Sequence, residues 1–227
     1  MLKGKGLLSP IQRGFLSLFA RLPDQDRFYL TGGTALAEFY FHHRLSFDLD
    51  MFTVEGPLIL PFSRSLEQTC VRQGWEVEVI RRFASYVEFS VTKGEGRLRI
   101  DLALDSPHRF EPPVLSEYGI FVNDRVDLMV DKLLAYYGRA EPRDAVDLYF
   151  ILQTESLENL LPMAKQKEPG FDLYWFAVSL NRAQSFPDEL SRWPVKMLTD
   201  LDPVALKRDF RRIALDLMAR VNESPPR

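Results

Sequence analysis

Two periodicities divide the chain. Up to about residue 123, short apolar runs alternate with polar positions and are broken by glycine and proline; from Asp124 onward apolar residues recur every three or four positions. In the first part, Ser9-Pro10 reads as an N-cap followed by a first-turn proline. Ile11, Phe15, Leu18, Phe19 and Leu22 then keep helical spacing until Pro23-Asp24. Phe28-Tyr29-Leu30 is a buried strand stopped by Gly32-Gly33. A helix is predicted over 34–43 with Ala35, Leu36, Phe39 and Tyr40 facing inward, and a strand over 48–52. Pro61 opens another helix, with Leu66, Cys70 and Val71 on its apolar side. Strands follow at 75–80, 85–91 and 98–104, and Lys93-Gly94-Glu95-Gly96 is a hairpin turn between the last two. Residues 106–113 form a loop with three prolines, and 120–122 a last short strand.

In the second part, Val126, Met129, Val130, Leu133, Leu134 and Tyr137 form one helical stripe, and further helices are predicted at 142–153, 156–165, 173–183 and 203–221. Residues 222–227 are expected to fray. The pattern predicts an α/β (α+β) fold in two domains, an α/β domain over 1–123 and a helical domain over 124–227. With 46% hydrophobic and 27% charged residues among 227, both halves have enough apolar surface for a core. A net charge of -3 excludes a uniformly basic nucleic-acid coat but leaves room for a local basic groove. The single cysteine, Cys70, excludes a disulfide scaffold and a cysteine-based zinc site, so a reducing, cytoplasmic setting is expected. No apolar stretch reaches the ~20 residues of a membrane span, and Met1 to Gly6 has lysines but no apolar core of a signal peptide.

The chemistry concentrates in Leu30-Thr31-Gly32-Gly33-Thr34-Ala35-Leu36 and Arg44-Leu45-Ser46-Phe47-Asp48-Leu49-Asp50-Met51-Phe52. A strand, a Gly-Gly turn and a hydroxyl at a helix start make an anion site, because backbone N–H groups and the positive end of the helix dipole meet there. The same residues alone also suit a plain turn with Thr34 as N-cap. Asp48 and Asp50, two apart on a strand, project from one face with backbones roughly 7 Å apart. Such like charges call for a cation between them, and hard Mg²⁺ or Mn²⁺ suits carboxylates; a solvated edge strand is the plainer reading of an isolated Asp-x-Asp. In Arg97 to Asp105, Leu98, Ile100, Leu102 and Leu104 share the core face, while Asp101 shares the other with Arg97, Arg99 and Asp105. Three carboxylates from two strands can hold two metal ions for phosphoryl transfer. Asp101 is preferred to Asp105 because it is central in its run.

These residues resemble the signature of the nucleotidyltransferase superfamily, and more narrowly its AbiEii/AbiGii toxin branch, whose "GGTAL … HR-S-D-D-F" run is matched by Gly33-Thr34-Ala35-Leu36 and by His43-Arg44-Leu45-Ser46-Phe47-Asp48-Leu49-Asp50-Met51-Phe52. The branch also carries a helical lysine and a Lys/Arg-x-Asp segment, matched here by Asp131-Lys132-Leu133-Leu134-Ala135 and Arg143-Asp144-Ala145-Val146-Asp147-Leu148. The resemblance covers residues 28–152. It implies a small mixed sheet of the nucleotidyltransferase type flanked by helices, then a helical bundle. It implies transfer of an NMP from an NTP to an acceptor hydroxyl, with Mg²⁺ or Mn²⁺ at Asp48, Asp50 and Asp101. Gly32, Gly33, Thr34, Arg44, Ser46, Lys132, Asp144 and Asp147 would contact or brace the nucleotide, and Asp48, Asp50, Asp101 and Lys132 would be catalytic, Lys132 by stabilising charge on the phosphates. A toxin-like or phage-defence role with a cognate antitoxin follows from the same resemblance, with RNA, tRNA included, as acceptor. The rival acceptors are a small molecule or a protein side chain, and the rival role is a non-catalytic nucleotide-binding regulator.

The residues alone leave Lys132 open: its stem, flanked by Leu128 and Tyr136, either snorkels to solvent or brings a point charge to a phosphate. Asp144 suits a helix N-terminus, and Arg143 and Asp147 suit an i,i+4 pair. His42-His43 point apart and make a poor metal pair. Lys207, Arg208, Arg211 and Arg212 form a basic stripe that reads first as a solvated face. Trp175, Phe176 and Trp193 read as core.

Overall fold

The computed structural model describes residues 1–223. The chain forms two compact units, Met1–Leu128 and from Met129 onward. The first holds helices α1 (Pro10–Phe19), α2 (Gly32–Ala35) and α3 (Gly56–Arg72), and strands β1 (Tyr29–Thr31), β2 (Arg44–Leu45), β3 (Leu49–Thr53), β4 (Glu76–Phe83), β5 (Tyr86–Lys93), β6 (Gly96–Leu104), β7 (Val114–Leu115) and β8 (Phe121–Val122). Seven strands make one mixed sheet in the order β4-β5-β6-β3-β1-β8-β7. Strands β3 and β6 are parallel, as are β1 and β8; the other pairs are antiparallel. The fold is thus a mixed α/β core with a central sheet flanked by helices, followed along the chain by a helical bundle.

Period-two patterning sets the two faces of the sheet. Leu49, Met51, Val87, Phe89, Val91, Leu98, Ile100 and Leu102 are at most 1% exposed. Helices α1 and α3 cover that face, with Phe15, Leu16, Phe19, Ile59, Phe62 and Leu66 buried against it. Phe62 stacks on Phe28 with centroids 4.2 Å apart and tilts onto Phe19 at 5.2 Å. Each such side chain contributes about 1.5–3 kcal/mol by leaving water. The alternate positions, Asp50, Asp101 and Glu88 among them, stand on the opposite face.

Several predicted boundaries shift for identifiable reasons. Helix α1 starts as expected: the Ser9 hydroxyl accepts from Gln12 N at 3.3 Å and Gln12 Oε1 accepts from Ser9 N at 2.9 Å. Helix α3 starts five residues before Pro61, because Pro57 is its first-turn proline and Pro61 lies inside. Val71 is exposed on that helix rather than apolar-packed. The second helix starts at Gly32, two residues early, and widens into a π-helical turn over Leu36–Phe41 that His42 ends at φ 57°. The hairpin turn falls on Gly94-Glu95, with Lys93 opposite Gly96.

Helix α4 (Arg125–Arg139) contains the division between the units. The second unit continues with α5 (Pro142–Ile151), α6 (Leu157–Lys167), α7 (Leu173–Arg182) and α8 (Pro203–Glu223). Its core includes Tyr136, Phe176 and Phe210, with Tyr136 edge-on to Phe210 at 5.3 Å. Trp193 and Phe176 are buried, but Trp175 is 58% exposed, because it falls on the outer side of α7. Asn222 and Glu223 belong to α8, and the rest of the expected frayed tail lies outside the described residues.

At the start of α4, Asp124 Oδ1 accepts from Val126 N (2.7 Å) and Asp127 N (3.1 Å), while Asp127 Oδ2 accepts from Phe110 N (2.9 Å) and Glu111 N (3.2 Å) of the proline loop. Burial first, then the neighbouring Asp127, pushes the Asp124 carboxyl up to about 7. An unfolded aspartate titrates near 3.9, so the native state holds an extra proton between about pH 4 and 7 and stability falls as pH rises through that window. We expect Asp124→Asn, which keeps the accepting oxygen, to flatten this fall in urea-unfolding midpoints measured from pH 4 to 8. A decline as steep as that of the parent chain would refute the assignment.

Candidate active site

Around the Gly-Gly turn, three hydrogen bonds hold the segment leading to Asp48. Buried Gln12 reaches from α1 to donate to Ser46 O at 3.1 Å. The Thr34 hydroxyl donates to Asp48 O at 2.6 Å, so Thr34 ties two segments together instead of capping its helix. The Ser46 hydroxyl donates to Asp48 Oδ1 at 3.1 Å. Asp48 lies one residue before β3 and is half-buried. Arg44 is buried, with Nη1 donating to Leu45 O.

Both glycines are required by neighbours as well as by backbone. Gly32 has φ 69°, and a Cβ there would overlap the Asp50 carboxylate. A Cβ at Gly33 would lie 2.6 Å from Arg44 Nη2 and 2.9 Å from Ser46 Oγ. The turn therefore sits directly against Asp50 on one side and Arg44 and Ser46 on the other. Gly32, Gly33, Thr34, Arg44, Ser46, Asp48 and Asp50 form one neighbourhood.

Strand pairing adds Asp101. In the parallel register of β3 and β6, Asp50 is directly opposite Asp101, and Thr31 flanks Asp50 on β1. Asp101 is not solitary: Arg99 Nη2 donates to its Oδ2 at 2.9 Å and Arg99 Nε to its Oδ1 at 3.2 Å. Burial raises the Asp101 carboxyl above the usual range, and the Arg99 guanidinium opposes that rise. Asp105 is engaged elsewhere, accepting from the Tyr29 hydroxyl and pairing with Arg109, whose guanidinium lies 3.9 Å over the Tyr29 ring. Among the described residues no three acidic, histidine or cysteine side chains gather into a metal-holding cluster. The carboxylate oxygens of Asp48, Asp50 and Asp101 are donors of the type a hard divalent cation takes, and Asp50 and Asp101 are opposite one another in register. Freeing Asp101 from Arg99 is what that fit requires.

Glu88 was not anticipated from the sequence. It is opposite Asp101 in the β5–β6 register, its carboxylate is 3.2 Å from Arg99 Nε and 3.6 Å from Arg81 Nε, and its side chain is 12% exposed. Two signals pointed to it. Tyr86, Glu88 and Ser90 alternate with buried Val87, Phe89 and Val91. Counting back from a two-residue turn at Gly94-Glu95 also brings 88 opposite 101.

Within the second unit, Lys132, Asp144 and Asp147 form a buried ion network. Lys132 Nζ lies 2.8 Å from Asp147 Oδ2 and 3.9 Å from Asp144 Oδ1, and its side chain is 8% exposed. Arg139 forks Asp144 through Nε at 2.5 Å and Nη2 at 2.8 Å. Lys132 therefore does not snorkel, Asp147 pairs with it, and Arg143 turns to Glu141 at 3.0 Å instead. Leu128 and Tyr136, on either side along α4, are fully buried. In the basic stripe, Lys207 pairs with Asp188 and donates to Phe186 O, and Arg208 pairs with Asp209. Cys70 is buried, and burial pushes its thiol up to about 11, away from reactivity. No helix of the described residues is long and apolar enough to cross a membrane.

A mixed sheet flanked by helices and followed along the chain by a helical bundle is a fold shared with solved structures. The chain belongs to the AbiEii nucleotidyl transferase toxin family, described as toxins of Type IV toxin–antitoxin systems, whose model matches residues 15–223. An H. pylori protein designated a nucleotidyltransferase superposes with a TM-score of 0.59 at 16% identity, covering 97% of this chain and 100% of that one. MenT4, a nucleotidyltransferase toxin of Mycobacterium tuberculosis H37Rv, gives 0.58 at 17% identity, covering 92% and 82%. JHP933 from Helicobacter pylori gives 0.55 at 17% identity, covering 93% and 90%. At these identities the likeness is one of fold. No curated protein matches the chain.

Two substitutions separate turn from brace. Gly32→Ala must relieve both a positive φ and an overlap with Asp50, so we expect a stability loss of about 1–3 kcal/mol by urea unfolding, with Gly33→Ala milder because the ends of Arg44 and Ser46 can move. Lys132→Ala removes the buried cation beside Asp147 and Asp144 and should cost about 3–5 kcal/mol. The double change Lys132→Met/Asp147→Asn should recover part of that loss; equal melting of parent and Lys132→Ala would place the lysine outside the fold's electrostatic brace.

Proposed function

We propose that this chain transfers a nucleoside monophosphate from an NTP to an acceptor hydroxyl, using Asp48, Asp50 and Asp101 with Mg²⁺ or Mn²⁺ and an RNA acceptor, tRNA included. The observation that carries the reading is the contact of the Gly32 turn with Asp50 while Asp50 stands beside Asp101. A turn suited to phosphates and a pair suited to divalent cations thereby share one place.

In this reading the amides at Gly32-Gly33-Thr34 cradle the triphosphate, and Arg44 and Ser46 steady it from the far side of Gly33. Asp48 and Asp50 would hold the cation, with Asp101 as third ligand. A bound Mg²⁺ supplies charge neutralisation at the phosphates. Asp101 accepts the proton of the acceptor hydroxyl. The hydroxyl oxygen bonds to the α-phosphorus, the bond from that phosphorus to the bridging oxygen breaks, and pyrophosphate leaves. The Lys132–Asp144–Asp147 cluster enters as a brace of its own helical unit. An RNA acceptor is favoured over a small neutral one by Arg81 and Arg97, whose side chains are 63% and 70% exposed on the face that carries Asp101. A cognate antitoxin is part of the same proposal, through the family's description.

The test is incubation of the purified chain with each α-labelled NTP, Mg²⁺ and total cellular RNA or lysate, followed by separation of RNA, protein and small molecules. Label is expected in RNA. It should vanish with Asp48→Ala, Asp50→Ala or EDTA while circular dichroism stays unchanged. Label in protein or a small molecule would overturn the acceptor; persistent transfer by both Asp variants would overturn the mechanism.

A further inference from the structure

Asp101 is engaged within the chain. Both of its carboxylate oxygens are taken by a single cation of the chain itself, Arg99, through Nε and Nη2. The same guanidinium reaches two other acceptors: Glu88 Oε1 lies 3.2 Å from Nε, and the Tyr86 hydroxyl lies 3.3 Å from Nη2. Glu88 is opposite Asp101 across the β5–β6 ladder and on its face of the sheet. Asp50, Asp101 and Glu88 thus form a row over three adjacent strands, β3, β6 and β5. Three carboxylates so placed repel one another unless a cation intervenes. Between Asp101 and Glu88 that cation is Arg99, whose side chain is 52% exposed.

We propose that Arg99 is an internal competitor for the metal: it neutralises Asp101 in the resting chain and transfers to Glu88 when a divalent cation takes Asp101. Glu88 is then a positioning residue that acts through Arg99. This rests on the metal reading of Asp48, Asp50 and Asp101 given above. The exchange needs little rearrangement, because Arg99 already touches Glu88 and keeps an ion pair throughout. A guanidinium and a divalent cation cannot share Asp101 at contact distance without strong repulsion. Metal affinity is therefore set partly by how easily Arg99 lets go, and Glu88 determines that.

Arg97 supplies the control. It carries the same charge, two residues away on the same strand and face, but its partners are Glu78 at 3.3 Å and Ser90 Oγ at 2.7 Å. The experiment measures Mn²⁺ binding to the full chain by titration calorimetry and by electron paramagnetic resonance, without nucleotide or acceptor, for the parent, Arg99→Gln, Arg97→Gln, Glu88→Gln and Arg99→Gln/Glu88→Gln. Arg99→Gln should bind Mn²⁺ about tenfold tighter than the parent, and Arg97→Gln within about twofold of it. Glu88→Gln alone should bind several-fold weaker, since Arg99 loses its second acceptor. In the Arg99→Gln background the same change should do much less, the non-additivity expected if Glu88 acts through Arg99. Mn²⁺ should also raise the melting temperature of Arg99→Gln more than that of the parent, which a purely structural arginine would not produce. Equal affinities of Arg99→Gln and Arg97→Gln, with Mn²⁺ bound by the parent, would overturn this inference and leave the metal reading standing. No binding by parent or by Arg99→Gln would overturn both.

Discussion

The parallel pairing of β3 with β6 is the constraint from which the site follows. It sets Asp50 against Asp101 on one face only because Leu49, Met51, Ile100 and Leu102 must be buried on the other. A slip of one residue would exchange the faces, sending two carboxylates into the layer under α1 and α3 and four apolar side chains into water. The burial of those four is worth several kcal/mol, far more than two partly hydrated carboxylates lose by mutual repulsion. The core therefore forces the acids together, and the rest of the face is arranged around that enforced proximity: Arg99 over Asp101, Glu88 behind Arg99, Gly32 flat against Asp50.

The sequence made some of this legible and concealed the rest, for reasons that differ by contact range. Helix α1 announced itself through Ser9 and Pro10, because capping is local; Gln12, three residues after Ser9, completes the box in the structure. The β5–β6 hairpin was visible because a glycine turn of two residues dictates its own register, and Glu88 opposite Asp101 was implicit in that count. The β3–β6 partnership was not countable. Two parallel strands separated by α3 and two further strands have no local turn to fix their offset, so Asp101 could be favoured only by its central place in an alternating run. Asp105 was a fair rival on alternation alone. Its engagement by Tyr29 and Arg109 depends on β1, remote in sequence, and on the path of the proline loop that begins at the next residue.

The helical unit shows another limit. Apolar spacing gave the stripe of α4 and placed α5, α6, α7 and α8 to within a few residues, yet it left charged residues inside those helices ambiguous. Lys132 sits between two fully buried neighbours and is itself buried. Spacing alone cannot say that Asp147, on the next helix, arrives to neutralise it. The i,i+4 pairing of Arg143 with Asp147 is the local alternative, and it loses because an exposed helix pair contributes only about 0.3–0.5 kcal/mol. Leaving Lys132 buried and unpaired would cost far more than that. Trp175 went the other way: its size suggested core, but adjacent Phe176 took the inward position and a helix cannot turn both inward.

Gly32 joins the two halves of the site more tightly than any ion pair does. A glycine is usually justified by its φ or by the space it leaves, and here both hold at once: φ is 69° and the space is already filled by the Asp50 carboxylate. The start of the helix and the strand bearing Asp50 are consequently packed backbone against side chain, with Thr34 bonded to Asp48 O and Ser46 to Asp48 Oδ1 as a second tie. A shift of the turn must move the acids, and a shift of the acids must move the turn. In the proposed function, phosphate recognition and charge neutralisation would thereby belong to one rigid element. For the proposed transfer, whose barrier would be lowered chiefly by positioning and electrostatics, that rigidity would let a short turn and the acids of β3 and β6 act together.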